Sequence, residues 1–92
     1  MVERYVPGIS RAELERALER LDETARELRS EGADVRYLGS TIVPEDEACF
    51  CQFEGLSEEL VAETNRRAGI AFDRIVPAVA ITPTAEEERG KR

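Results

Sequence analysis

The chain has 92 residues, 13 Lys and Arg against 20 Asp and Glu, a net charge of −7, and 41% hydrophobic residues. That length supports one domain, which buries only about 60–65% of its unfolded surface, so a partner subunit would add stability. The acidic balance argues against nucleic acid or an anionic membrane as a partner, the apolar content against a disordered chain, and no run approaches the ~18 apolar residues of a membrane span. No signal peptide is visible, so the expected compartment is the cytoplasm.

Histidine and tryptophan are absent, and the two cysteines are Cys49 and Cys51. Without histidine the commonest general base and metal ligand are missing, and serine–histidine or cysteine–histidine nucleophile systems cannot form within one chain. Two cysteines do not make a disulfide scaffold.

Residues 2–6 alternate and favour a first strand, which Pro7 and Gly8 end. Ser10 and Glu13 form a capping box. Leu14, Leu18, Leu21, Ala25 and Leu28 then keep one stripe apolar, predicting an amphipathic helix over 11–31 that stops at Gly32. Residues 33–43 and 48–54 read as two strands around the turn Pro44–Glu47, a hairpin. Pairing Val43 with Ala48 sets Thr41 opposite Phe50 and Gly39 opposite Gln52. In that register Tyr37, Thr41, Phe50 and Gln52 share a wetter face, while Leu38, Ser40, Ile42, Cys49, Cys51 and Phe53 share a drier one. Ser57 caps a second helix, 58–68, which Gly69 ends. Residues 73–82 read as a last strand, and Pro77 places it at an edge or on a bulge. The polar tail 84–92 is expected to be disordered.

The order β-α-β-β-α-β predicts an α+β fold: a ferredoxin-like domain over 1–83, with a four-stranded antiparallel sheet and both helices on one face. The other face has no cover within the chain. Ile75, Val79 and Ile81 on one side of the last strand, and Val76, Ala78 and Ala80 on the other, make it apolar on both sides. The economical cover is a second copy, sheet on sheet, giving a homodimeric α+β barrel.

Several residues could carry chemistry. Cys49 and Cys51 lie two apart on one face, about 6.6–6.8 Å along a strand, the long limit for a disulfide. They read as buried small hydrophobes, or as two of the four thiolates of a metal site that a dimer could complete. A nucleophilic cysteine needs a cationic neighbour, which Arg4 would have to supply in three dimensions. In the first strand Val2, Arg4 and Val6 share one face and Glu3 and Tyr5 the other. Glu3 serves either in an ion pair or as a general base in a cavity. Thr41, Phe50 and Gln52, with Tyr37, suit a small-molecule pocket or a dimer interface. The arginines of Asn65-Arg66-Arg67-Ala68-Gly69, with Arg74, suit a solvated helix end or a site for an acidic ligand; the acidic turn suits a solvated loop or a weak hard-cation site, but lacks the ligand spacing of a calcium loop. No glycine-rich phosphate loop occurs, so no nucleotide cofactor is expected.

The segments Val2-Glu3-Arg4, Val35-Arg36-Tyr37-Leu38-Gly39-Ser40, Phe50-Cys51, Asn65 to Gly69 and Asp73-Arg74-Ile75 resemble a small actinobacterial nickel-binding family long known as a domain of unknown function. The similarity runs over roughly residues 2–80. It implies a ferredoxin-like fold and a divalent transition metal as ligand. Nickel favours imidazole and other nitrogen or oxygen donors; the donors on offer here are Cys49, Cys51, Glu3, Glu47 and backbone groups.

Three readings follow. The first is a cytoplasmic homodimer that binds a small ligand or a metal between its sheets. The second is a cofactor-free cyclase, isomerase or monooxygenase, with Glu3 as base and Tyr5 or Tyr37 as hydrogen-bond donor; that one rests on fold analogy. The third is a protein interaction module. A Glu3 with a raised pKa beside an empty cavity favours the enzyme, and a Glu3 paired with arginine favours a structural role.

Overall fold

A computed structural model describes residues 1–55, 57–79, 81 and 83. The elements are β1 (Val2–Tyr5), α1 (Arg11–Ser30), β2 (Val35–Val43), β3 (Ala48–Gly55), α2 (Glu58–Arg67) and β4 (Arg74–Ile75), with a single 3-10 turn at Pro44–Asp46 between β2 and β3. All the strand pairings are antiparallel, and the sheet runs β2-β3-β1-β4. Element order and strand order fit the ferredoxin-like split unit.

Local chemistry sets the helix ends. Ser10 Oγ accepts from Glu13 N at 3.1 Å, and Glu13 Oε1 accepts from Ser10 N at 3.1 Å, so the capping box forms as the spacing predicts. Ser57 Oγ accepts from Leu60 N at 3.2 Å. Both helices end in the same way. Gly32 N donates to Arg29 O and Ala33 N to Leu28 O; Gly69 N donates to Arg66 O and Ile70 N to Asn65 O. This crossed pair of bonds needs a left-handed residue, and Gly32 (φ +96°) and Gly69 (φ +75°) supply it.

One sheet face carries the core. Leu14, Ala17, Leu21, Ala25 and Leu28 of α1 and Val61 and Ala68 of α2 are buried, as are Val2, Val35, Cys49 and Cys51 of the sheet; Leu18 is half-buried. Thr24 and Thr64 sit on these buried helix faces because their hydroxyls bond the carbonyls of Arg20 and Leu60 one turn back. Glu3, Tyr5, Thr41, Phe50 and Gln52 lie on the opposite face, which no helix among the described residues covers.

The hairpin register is the expected one, with Val43 opposite Ala48, Thr41 opposite Phe50 and Gly39 opposite Gln52. Beyond Gly39 it departs from the alternation. The pairing shifts between Tyr37 and Gly39, so Leu38 is an extra residue, 52% exposed, and Tyr37 pairs with Phe53 instead. A one-residue bulge flips every side chain beyond it. Tyr37 therefore leaves the wetter face and packs under the helices, its ring centroid 5.4 Å from that of Phe53.

The last strand also differs. β4 covers Arg74–Ile75 rather than 73–82, at the sheet edge that Pro77 predicts. Val76 exchanges two backbone bonds with Met1, at 2.8 and 2.7 Å, and the prolyl nitrogen then ends the ladder. Val79 and Ile81 are 85% and 90% exposed. Ala80 and Thr82 of that expected strand, and the tail 84–92, lie outside the described residues. No helix among the described residues is long and apolar enough to cross a membrane.

Candidate thiolate centre

β3 is flanked by β2 and β1, which puts Cys49 and Cys51 in the middle of the sheet, under the helices. Both are free thiols with no exposed surface. Arg4 lies opposite Cys49 on β1, Ser40 opposite Cys51 on β2.

Cys51 Sγ is the point on which polar groups converge. Cys49 Sγ lies 3.8 Å away, Ser40 Oγ 2.9 Å and Arg4 Nη2 3.6 Å. The Tyr37 hydroxyl hydrogen-bonds to Ser40 Oγ. Burial pushes the Tyr37 phenol up, so it remains a proton donor. A hydroxyl relay from Tyr37 through Ser40 thus ends on Cys51.

Arg4 explains the arrangement. Its residue is 1% exposed. Nη1 donates to Ala71 O at 3.0 Å and Nη2 to Asn65 Oδ1 at 2.7 Å, while Nε is buried with no partner. The fully buried Asn65 is anchored in turn by its Nδ2, which donates to Val61 O at 2.8 Å. Buried charges are ordinarily paired, yet no carboxylate among the described residues pairs with Arg4. The negative end of α2, at whose last turn Asn65 sits, supplies a partial compensating charge. The titratable group that can supply a full one is Cys51.

The thiols therefore split. A hydrogen bond from Cys49, then one from Ser40 and the charge of Arg4, pull Cys51 down to about 6 against the opposing effect of burial. Cys49, holding the proton between the two sulfurs and buried, is pushed up. The neighbours of Cys51 thus favour its thiolate, while Cys49 holds its proton.

The open face is wired differently. Glu3 Oε2 accepts from Arg74 Nε at 2.8 Å, and Glu3 Oε1 accepts from the Tyr5 hydroxyl at 3.1 Å. The Arg74 bond holds the Glu3 carboxyl below the usual carboxylate range, and the Glu3 charge pushes the Tyr5 phenol up. A general base needs the opposite shift. Glu3 is a paired, ionised carboxylate, the condition that favours its structural role.

Of the residues the sequence singles out, Glu3 and Tyr5 come together, with Thr41, Phe50 and Gln52 on the same face, while Tyr37 joins Cys49 and Cys51 on the other. Glu47 is in neither group: its carboxylate accepts from Gly8 N at 3.1 Å. Ser40 and Asn65 stand within the segments that carry the family resemblance, but the sequence gives them no role at a site. Ser40 carried a signal, since the hairpin register already sets it opposite Cys51. So did Asn65, which falls on the Val61 and Ala68 face of α2 at helical spacing.

Fold and site together define a small α+β domain with a buried pair of free cysteines beside a buried arginine. Against known families, the model of the nickel responsive protein SCO4226-like family matches residues 1–78, and the chain belongs to that family. No curated protein and no solved structure matches it.

The family description prompts a test of the donors. Square-planar nickel(II) is held by four donors, chiefly nitrogen and oxygen. Among the described residues no group of three or more Cys, Asp or Glu side chains converges, and Glu3 and the cysteines occupy opposite sheet faces. A second copy stacked on the open face would not bring its own sulfurs to these. The described residues do not make a nickel site of that type; what they make is a two-sulfur chelate.

Proposed function

We propose that the protein is a homodimeric, metal-responsive binding protein whose metal donors are the Cys49 and Cys51 sulfurs. The observation that carries this reading is the spacing of the two sulfurs, 3.8 Å on one face of the central strand. One ion with metal–sulfur bonds of about 2.3 Å can bridge two sulfurs held at that distance, so the chelate needs little rearrangement. Neighbouring groups pull the Cys51 thiol down, toward the thiolate that metal binding requires. The guanidinium, the Ser40 hydroxyl and the Tyr37 relay fix it in place, as outer groups do around metal ligands. Family membership supports a response to metal.

Dimerisation is supported by the uncovered sheet face and by the exposure of Tyr5 and Leu38 on the strands and of Val79 and Ile81 in the segment after β4. The paired Glu3 makes this face a better interface than a catalytic cavity.

Native mass spectrometry of protein purified anaerobically without chelator, then exposed to thiophilic metal ions, tests both parts. The expected result is a dimer that retains metal through Cys49 and Cys51, with Cys49→Ala and Cys51→Ala each losing it. A wild-type protein that stays metal-free throughout overturns the metal reading. A monomer overturns the dimer.

A further inference from the structure

Resting on that reading of the thiol pair as the metal centre, we propose that Cys49 and Cys51 form a two-coordinate site for a soft monovalent cation of the copper(I) class, with Arg4 as its fixed counter-charge. Two independent observations select this ion class.

The first is the donor count. Two sulfurs converge, and among the described residues no third Cys, Asp or Glu joins them. Zinc in a closed protein site takes four ligands, and nickel(II) prefers nitrogen and oxygen donors, whereas soft thiolates select copper(I). Copper(I) is satisfied by two thiolates alone. The Ser40 hydroxyl is already engaged by Tyr37 and Cys51, and serves as a hydrogen-bond donor to sulfur.

The second is charge balance. Arg4 is buried without a carboxylate partner among the described residues, and its Nη2 lies 3.6 Å from Cys51 Sγ. When a monovalent cation enters, two metal–sulfur bonds form, and any proton the sulfurs carry leaves to solvent. No electron is transferred. The product is a bis-thiolate complex of charge −1, which the Arg4 guanidinium balances to zero. A divalent ion making the same exchange leaves an excess positive charge beside the Arg4 guanidinium, in a place where unbalanced charge is costly. Arg4 thus sets the valence that the site accepts. Burial of both sulfurs also keeps water from the bound ion. Arg4 also forms part of the wall of a cleft of about 240 Å³ between α1 and residues 69–71.

The test is an anaerobic titration of the full-length protein with copper(I) against a chromogenic copper(I) chelator, with nickel(II) and zinc(II) run in parallel. The expected result is one copper(I) per chain, with no nickel(II) or zinc(II) competing at equal concentration. Arg4→Met should weaken copper(I) by about 10–100-fold and should not weaken zinc(II). The metal preference is read on the wild-type protein, so it stands even where a variant fails to fold. If nickel(II) or zinc(II) binds through the cysteines in preference to copper(I), the monovalent proposal falls and the thiol metal site survives. One copper(I) shared between two chains overturns the two-coordinate geometry. If no metal depends on Cys49 and Cys51, the proposal and the reading beneath it fall together.

Discussion

The guanidinium of Arg4 lies 3.6 Å from the sulfur of Cys51, with no carboxylate among the described residues to share it. The two residues are on adjacent strands, two positions out of register and on the same face, since Arg4 pairs with Cys49 and Val2 with Cys51. The arginine reaches diagonally across β3's neighbour position to the thiol and onward to Asn65 on α2. A charge in the core and a reactive sulfur thus explain each other: Arg4 is tolerable there because Cys51 ionises, and Cys51 ionises in part because Arg4 is there.

The contribution of each neighbour to that ionisation can be separated. The hydrogen bond from Cys49 is the largest influence lowering Cys51, ahead of Ser40 and Arg4. Cys49→Ala should therefore raise the Cys51 titration midpoint more than Ser40→Ala does. Thiolate absorbance against pH checks this ranking, and an unchanged midpoint in Cys49→Ala would show that the two sulfurs do not share a proton.

Asn65 holds the arginine from the helix side. Asn65→Ala removes a buried bond to a charged group and leaves an Nη2 hydrogen unpaired, at a cost of about 2–3 kcal/mol. Chemical denaturation should show this loss. An exposed polar residue at the same turn, such as Arg66, should give under about 0.5 kcal/mol when replaced by alanine.

Much of this was legible in the sequence, and the remainder shows where local reasoning ends. Ser10 and Glu13 announced the start of α1, and Gly32 and Gly69 the ends of both helices, because caps are settled within a few residues. The Val43–Ala48 register followed from a short turn. The bulge at Leu38 was invisible, since nothing local distinguishes an extra residue from an alternating one, and it carried Tyr37 to the other face. The link from Arg4 to Asn65 spans 61 positions in the chain, and only packing brings its ends together. Strand parity put Arg4 and Glu3 on opposite faces and the two cysteines on one face, but left open which face lies beneath the helices. What it could not show was the missing carboxylate, which gives the arrangement its chemistry.

Glu3 supplies a pH signature of its own. Its carboxyl titrates lower in the folded chain than in the unfolded one because Arg74 donates to it. A depressed carboxylate stabilises the fold above its unfolded pKa of about 4.3, and that contribution fades as pH falls through the lower folded value. The stability difference between wild type and Glu3→Gln should be constant near neutrality and shrink below about pH 4. Thermal melts across that range would show it. A difference that instead grew on acidification would mean that Glu3 is held protonated, as a cavity base would be.

Gly69 tests the junction that brings Ala71 to Arg4. A Cβ there meets no atom within 4 Å, yet φ is +75°. Gly69→Ala should cost about 1–2 kcal/mol from backbone strain alone, measured by denaturation, and should leave the Cys51 midpoint unchanged.

The most direct measurement is the ultraviolet thiolate titration of the reduced wild-type protein. The account requires one thiolate per chain at pH 7, with a midpoint of about 6 for Cys51 and the second sulfur remaining a thiol far into the alkaline range. Arg4→Met should move the first midpoint upward. Two neutral thiols at pH 7, both ionising above the ordinary cysteine value of about 8.5, would leave Arg4 without its counter-charge and contradict the account.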